Sequence, residues 1–172
     1  LEGRSAFVDG QAWRVGPAKA QHALTDRPFD GRVVVVTGAA RGIGAAIART
    51  FARDGATVVA VDIPPAGDAL AAVANEIGGS ALQLDITADD AGRRIAEHVA
   101  SRHGADTRIW ALVHNAGITR DKLLANLDEK RWASVLDVNL AAEMRINDFL
   151  LNNDVPGGLG EEARIVGIAS TS

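Results

Sequence analysis

The 172-residue sequence contains no cysteine and no tyrosine, a single methionine, and only 4% aromatic residues. Without cysteine there can be no disulfide, no thiolate nucleophile and no cysteine-based zinc site. That composition fits a reducing cytoplasm. No apolar run approaches the roughly 20 residues that a membrane-spanning helix needs, and no charged-then-apolar leader opens the chain. Nor is there a basic field: 18 Lys and Arg against 22 Asp and Glu leave a net charge of −4. Neither nucleic acid nor an anionic membrane is therefore an expected partner. What remains is an ordinary globular balance, 47% hydrophobic and 23% charged, enough for one core but short of two full domains. The chain opens at Leu1, has Met144 as its only methionine, and closes on Ile168-Ala169-Ser170-Thr171-Ser172, which reads as a strand just finished. The expectation is a part of a longer polypeptide.

From residue 31 onward strands alternate with helices. Arg32–Val36 is an apolar, β-branched run suited to a strand buried on both faces. A glycine-rich turn comes next, then a helix over Ala45–Asp54 ending at Gly55, a strand at Thr57–Val61 and a helix at Ala66–Ile77. A third strand is expected at Ala81–Leu84, with Thr87 or Asp89 capping a helix to about His103. A fourth falls at Ile109–Val113. Glu129–Leu151 then reads as one long helix whose Trp132, Val135, Leu136, Leu140, Ile146 and Leu150 share a stripe. After a Gly-rich loop over 151–163, Arg164–Ile168 is the fifth strand. Strands joined by crossover helices predict an α/β fold, a Rossmann-type doubly wound parallel sheet. Residues 1–30 stand apart, with two short strand pieces about Asp9-Gly10 and a polar linker from Gly16 to Asp30.

Chemistry concentrates at the predicted carboxyl ends of the strands, where an open α/β sheet binds its ligand. Thr37-Gly38-Ala39-Ala40-Arg41-Gly42-Ile43-Gly44 lies between a buried strand and a helix. Its glycines permit a tight turn and close approach of backbone to a pyrophosphate, which the helix N-terminus would receive. Asp62, with Ile63 after it, is placed to accept hydrogen bonds from adenosine ribose hydroxyls, or else to cap the turn before Pro64-Pro65. Asp85, with Ile86 after it, suits an adenine edge or a helix cap. His114-Asn115-Ala116-Gly117 closes the fourth strand, and His114 is either packed and satisfied or a general base. Asn139 is a polar residue inside the apolar stripe and needs partners if buried. Ser170 ends the fifth strand as a candidate donor to a substrate carbonyl. No metal-ligating set is expected.

Together these residues resemble the short-chain dehydrogenase/reductase superfamily in its classical type, over about four-fifths of the chain. Thr37–Gly44 looks like its cofactor loop and Asp62 like its cofactor-selecting acid. Leu84-Asp85-Ile86-Thr87 is similar to its adenine-contacting segment, and His114-Asn115-Ala116-Gly117 to its Asn-Asn-Ala-Gly motif with His in first place. Val138-Asn139-Leu140 matches the segment bearing an active-site asparagine, and Ile168-Ala169-Ser170 the strand bearing the catalytic serine. Ala116–Leu124 with Trp132 most resembles 3-oxoacyl-(acyl-carrier-protein) reductases. Ala6–Gly16 is similar to the last strand of a preceding reductase domain, an order like that of high-molecular-weight actinobacterial enzymes. Residues 1–30 are then the tail of a preceding domain plus linker, and 31–172 the N-terminal part of a dinucleotide-binding reductase domain whose C-terminal strands are missing from this chain.

The resemblance implies NAD as cofactor, hydride transfer to the β-ketone of an acyl thioester on coenzyme A or acyl carrier protein, and a homo-oligomer, dimer or tetramer. It implies that Ser170 holds the carbonyl and that Asn139 anchors a water. The family's Tyr-x-x-x-Lys pair has no counterpart here, so these residues by themselves are expected to be inactive. Two other readings stay open: a dehydrogenase of another small alcohol or steroid, and a degenerate dinucleotide-binding module without turnover.

Overall fold

The computed structural model describes residues 27–119 and 129–169. Five parallel strands form one sheet in the order β3-β2-β1-β4-β5. The strands are β1 (Val33–Thr37), β2 (Thr57–Asp62), β3 (Ser80–Gln83), β4 (Ile109–His114) and β5 (Leu159–Gly167). The first three run outward from β1 in one direction and the last two in the other. The order therefore reverses between β1 and β4, the place where such a sheet opens a crevice at its carboxyl edge.

Helices α1 (Gly42–Arg53) and α2 (Gly67–Glu76) cover one face; α3 (Ala91–His103) and α5 (Ala142–Asn152) cover the other. Alternation along β1 serves both layers. Val33 and Val35 join the core with Ile95, Val99, Ile146 and Leu150, while Val34 and Val36 join Ala45, Ala48, Leu70 and Val73. Burial on both faces explains the unbroken valine run. None of the described helices is long and apolar enough to cross a membrane.

Several expected boundaries move. Helix α1 begins at Gly42, inside the glycine turn, rather than at Ala45. Pro64-Pro65 form a 3₁₀ turn, Pro64–Ala66, so α2 starts only at Gly67. Neither Thr87 nor Asp89 caps α3. Asp90 occupies that position, and its carboxylate turns to Arg93 at 2.8 Å rather than to the helix amides. Strand β5 begins at Leu159, five residues early, because Leu159 already pairs with Ile109; residues 160–163, read from composition as loop, form an irregularity before Arg164 pairs with Ala111. The strand pair expected before Gly16 lies outside the described residues.

The largest difference is in the helix expected over Glu129–Leu151. It is three segments: α4 (Glu129–Leu136), a π-helical turn Asp137–Ala141, and α5. A π turn inserts about one extra residue, which rotates the next helical segment by roughly 100° at 3.6 residues per turn. The single stripe is thereby cut. Ile146 and Leu150 are buried, whereas Trp132, Leu136 and Leu140 are 52%, 40% and 52% exposed. Ile146→Ala should therefore cost about 2–5 kcal/mol as a core truncation, and Leu140→Ala less than about 0.5 kcal/mol as a surface one. Urea unfolding of the two variants checks the split; equal losses would contradict it.

Candidate functional site

Thr37, the last residue of β1, is fully buried and joins β1 to β4 through its hydroxyl. That oxygen donates to the Val113 carbonyl at 3.3 Å and accepts the amides of Asn115 at 3.0 Å and Ala116 at 3.1 Å. Asn115 reaches back, its Nδ2 donating to the carbonyls of Thr37 at 3.1 Å and Gly38 at 3.2 Å. Side-chain atoms are excluded from this junction. A Cβ on Gly44 would stand 2.1 Å from the Gly38 carbonyl oxygen, and one on Gly38, whose φ is +66°, 2.8 Å from the Ala116 Cα. The loop after β1 is thus clamped to the turn after β4.

The clamp leaves the start of α1 open. Its N-cap, Arg41, is extended and gives no side-chain cap, and the first turn carries no acidic residue. The first-turn amides and the positive end of the helix dipole remain uncompensated, a setting suited to phosphate oxygens. Across the loop, Asp62 accepts the Ala40 amide on Oδ2 at 2.9 Å and the Ile63 amide on Oδ1 at 2.8 Å. A carboxylate has about four acceptor positions, so Asp62 holds the loop and retains capacity for hydroxyl donors. The two readings of Asp62 from sequence, turn-holder and ribose acceptor, are compatible. Asp85 is half spent: its Oδ1 accepts the Thr87 amide at 2.9 Å and hydroxyl at 2.7 Å, which shapes the loop after β3.

A cavity of about 610 Å³ occupies the crevice. Gly38, Arg41, Asp62, Ile63, Asp85, Ile86, Asn115, Ala116 and Gly117 line it together with Thr87, Ile118, Ser134, Asp137 and Val138. Its size is that of a small-molecule site. Gly42 and Gly44 belong to the adjoining helix start, and the Ile43 side chain turns away, 65% exposed, into a separate apolar groove with Phe29, Ile47 and Phe51. Anything Ile43 offers to the cavity comes from its backbone.

Asn139 departs from expectation. It is exposed, not buried, and the π turn that carries it aims its amide at one backbone unit: Oδ1 accepts the Ile118 amide at 2.8 Å and Nδ2 donates to the Ile118 carbonyl at 2.9 Å. It thereby holds the loop after Gly117. His114 is 1% exposed; its Nε2 meets Asn147 Oδ1 at 2.8 Å, while its Nδ1 is buried without a hydrogen-bond partner, so the ring is packed but only half satisfied. Burial pushes the nearby Glu143 carboxyl up, with His114 opposing. Ser170 lies outside the described residues. Ser134, Asp137 and Val138 are additions to the cavity wall that the sequence pattern does not show. Asp137 and Val138 sit on the wide turn and Ser134 in α4 just before it, whereas helical periodicity places the stripe on their neighbours.

The family described as short chain dehydrogenase matches residues 32–172. The chain is 38% identical over 126 residues, 72% of its length and 50% of the relative's, to the 3-oxoacyl-(acyl-carrier-protein) reductase FabG of Thermotoga maritima. It is 35% identical to the enzyme of that name from Pseudomonas aeruginosa over 145 residues, 83% of this chain and 56% of the relative. It thus spans about half the length of the curated relatives it matches. A solved short chain dehydrogenase structure from Pseudomonas syringae superimposes with a TM-score of 0.73 at 30% identity, covering 88% of this chain and 63% of that one.

Replacing Thr37 by Val keeps its shape but leaves two amides and a carbonyl without their partner. With about 1–3 kcal/mol per buried unsatisfied group, partly relieved by rearrangement, the expected loss is about 2–4 kcal/mol. Thr37→Ser should lose less than half as much. Denaturant midpoints measure both, and a Val variant as stable as the Ser one would show that the hydroxyl is not the clamp.

Proposed function

The chain belongs to the short-chain dehydrogenase family, and from that premise we propose that it is the cofactor-binding part of an NAD(H)-dependent reductase of 3-oxoacyl thioesters. The observation that carries the cofactor half is the uncapped start of α1 facing a loop pinned by Asp62. The residues fit a nicotinamide dinucleotide. The amides after Gly38 would take the pyrophosphate, Asp62 the adenosine ribose hydroxyls, and the Asp85–Thr87 loop the adenine. When bound, the nicotinamide supplies the hydride. Asn139 keeps the Ile118 loop in place along that cavity, and Ser170 would hold the ketone oxygen of the substrate. The proton donor, by family resemblance a Tyr aided by a Lys, would come from a segment beyond residue 172, with residues 1–30 contributing the tail of a preceding domain.

NAD rather than NADP follows from charge. Arg41 could pair with a 2′-phosphate and gain about 1.5–3 kcal/mol from a charge-assisted hydrogen bond. Asp62 opposes it, because like charges about 4 Å apart repel by roughly 4 kcal/mol at an effective dielectric near 20. Its two backbone bonds also restrain the carboxylate from swinging aside. Asp62→Ala in the full-length protein should shift preference toward NADPH, read as the ratio of kcat/KM for the two cofactors. If the unaltered enzyme already prefers NADPH, Arg41 decides and this reading of Asp62 is wrong.

The thioester half rests on the relatives and on surface charge. Acyl carrier protein is acidic, and a carrier-specific enzyme needs a basic docking face. Lys130 and Arg131 offer part of one, with Arg120 and Lys122 earlier in the sequence, but Asp154 precedes β5 and Glu161 and Glu162 lie in its first half. Coenzyme A thioesters should therefore be reduced as well as carrier-bound ones, and the working protein would be a homo-oligomer in the cytoplasm. Steady-state rates on matched substrates test the first point; turnover restricted to the carrier-bound form would refute it.

A further inference from the structure

We propose that Arg145 is a positioning residue that ties the two walls of the dinucleotide cavity to each other. The inference rests on the cofactor reading above and adds to it a residue that does not touch the ligand. One nitrogen of its guanidinium, Nη2, donates both to the Thr87 carbonyl at 3.1 Å and to Asp137 Oδ1 at 2.9 Å. Thr87, from the β3–α3 loop, and Asp137, from the π turn, both line the cavity, whereas Arg145 stands behind them on α5. Each wall is itself organised by the residue that Arg145 holds. Thr87 gives its amide and hydroxyl to Asp85, and Asp137 opens the π turn from which Asn139 grips Ile118.

Hydrogen bonds, with the backbone of the π turn between Asp137 and Asn139, therefore link the Asp85–Thr87 loop to Ile118. Arg145 is the only link between the β3–α3 loop and the π turn among the described hydrogen bonds. As an ion pair the contact is weak, since both side chains are more than a third exposed. Its value is geometric. The arrangement even leaves Arg145 Nε buried without a hydrogen-bond partner, a cost that a merely solvated arginine would avoid by turning outward. One atom with two hydrogens, each committed to a different wall, restricts the distance between the walls. A ligand that spans both should sense that restriction, and a ligand confined to one wall should not.

The test measures binding to the whole chain of NADH, which would run from the Asp85–Thr87 loop to the Ile118 loop, and of AMP, which would occupy the Asp62 and Asp85–Thr87 end and lacks the nicotinamide half. Arg145→Gln should weaken NADH about tenfold, the scale of one charge-assisted hydrogen bond, and AMP less than about threefold. Arg145→Lys keeps a nitrogen with hydrogens for both acceptors and should recover most of the loss. Asp137→Asn should weaken NADH in the same sense, and the double variant should be no worse than the more affected single one, because both cut one link. If Arg145→Gln does not fold, Asp137→Asn, at the exposed half of the pair, carries the measurement. NADH affinity within twofold of wild type in the folded variants, or equal weakening of NADH and AMP, overturns the inference. A folded wild-type chain that binds neither ligand overturns the cofactor reading itself, and the inference with it.

Discussion

The hydroxyl of Thr37 is the point on which the site depends. It sits where the strand order reverses, and it satisfies one carbonyl and two amides that belong to the neighbouring strand and turn. Buried backbone groups must be paired, and at a sheet reversal the ladder cannot pair them, because the chains diverge. A single side chain of the right length closes that gap. Asn115 repeats the solution in the other direction. The glycine loop is consequently fixed from below by β4 and from the side by Asp62, and the open helix start is held at a set place over the crevice.

Rigid support and unmet polarity meet at this one place. Helix α1 lacks a cap and lacks an acid in its first turn, features that would weaken an isolated helix. Tertiary packing of Ala45 and Ala48 against the valines of β1 and β2 compensates. The unspent amides are then available where the cavity needs donors. The carboxylates around the same cavity are treated oppositely. Asp62 and Asp85 are each engaged by backbone, which fixes their direction while leaving acceptor positions open.

Much of this is legible in the sequence. Strands β1, β2 and β4 come from apolar runs whose burial on two faces leaves little ambiguity, and the glycine spacing marks the crevice because glycine is demanded there by contact as well as by turn geometry. Asp62, Asp85 and Asn115 are legible because they stand at strand ends or within two residues of them. The illegible parts share a cause. Asn139 is legible as a residue, but its exposure and the place of Asp137 and Val138 on the cavity wall depend on a turn with a non-standard period, and no pattern with a 3.6-residue repeat can show where such a turn falls. Composition shortens strand β5, because the pairing of Leu159 with Ile109 ahead of the irregular 160–163 stretch is set across the sheet and not by local residues. Arg145 is invisible for a related reason: its partners are 58 and 8 residues away in the chain, and only folding makes them adjacent.

Four consecutive valines in β1 have one further consequence. Each presents the same side chain, so a shift of the strand by one residue would exchange the contents of the two cores without changing what either core contains. In most half-buried strands such a shift exposes apolar groups and is rejected at once. Here hydrophobicity is blind to it. The strand is like an unmarked ruler, and its zero is set from the end: only Thr37 carries a hydroxyl, and only Gly38 can pass beneath Ala116. The alignment of the central strand is thus specified by the same two residues that open the crevice, so that a correctly registered sheet and a correctly formed site are a single event in folding.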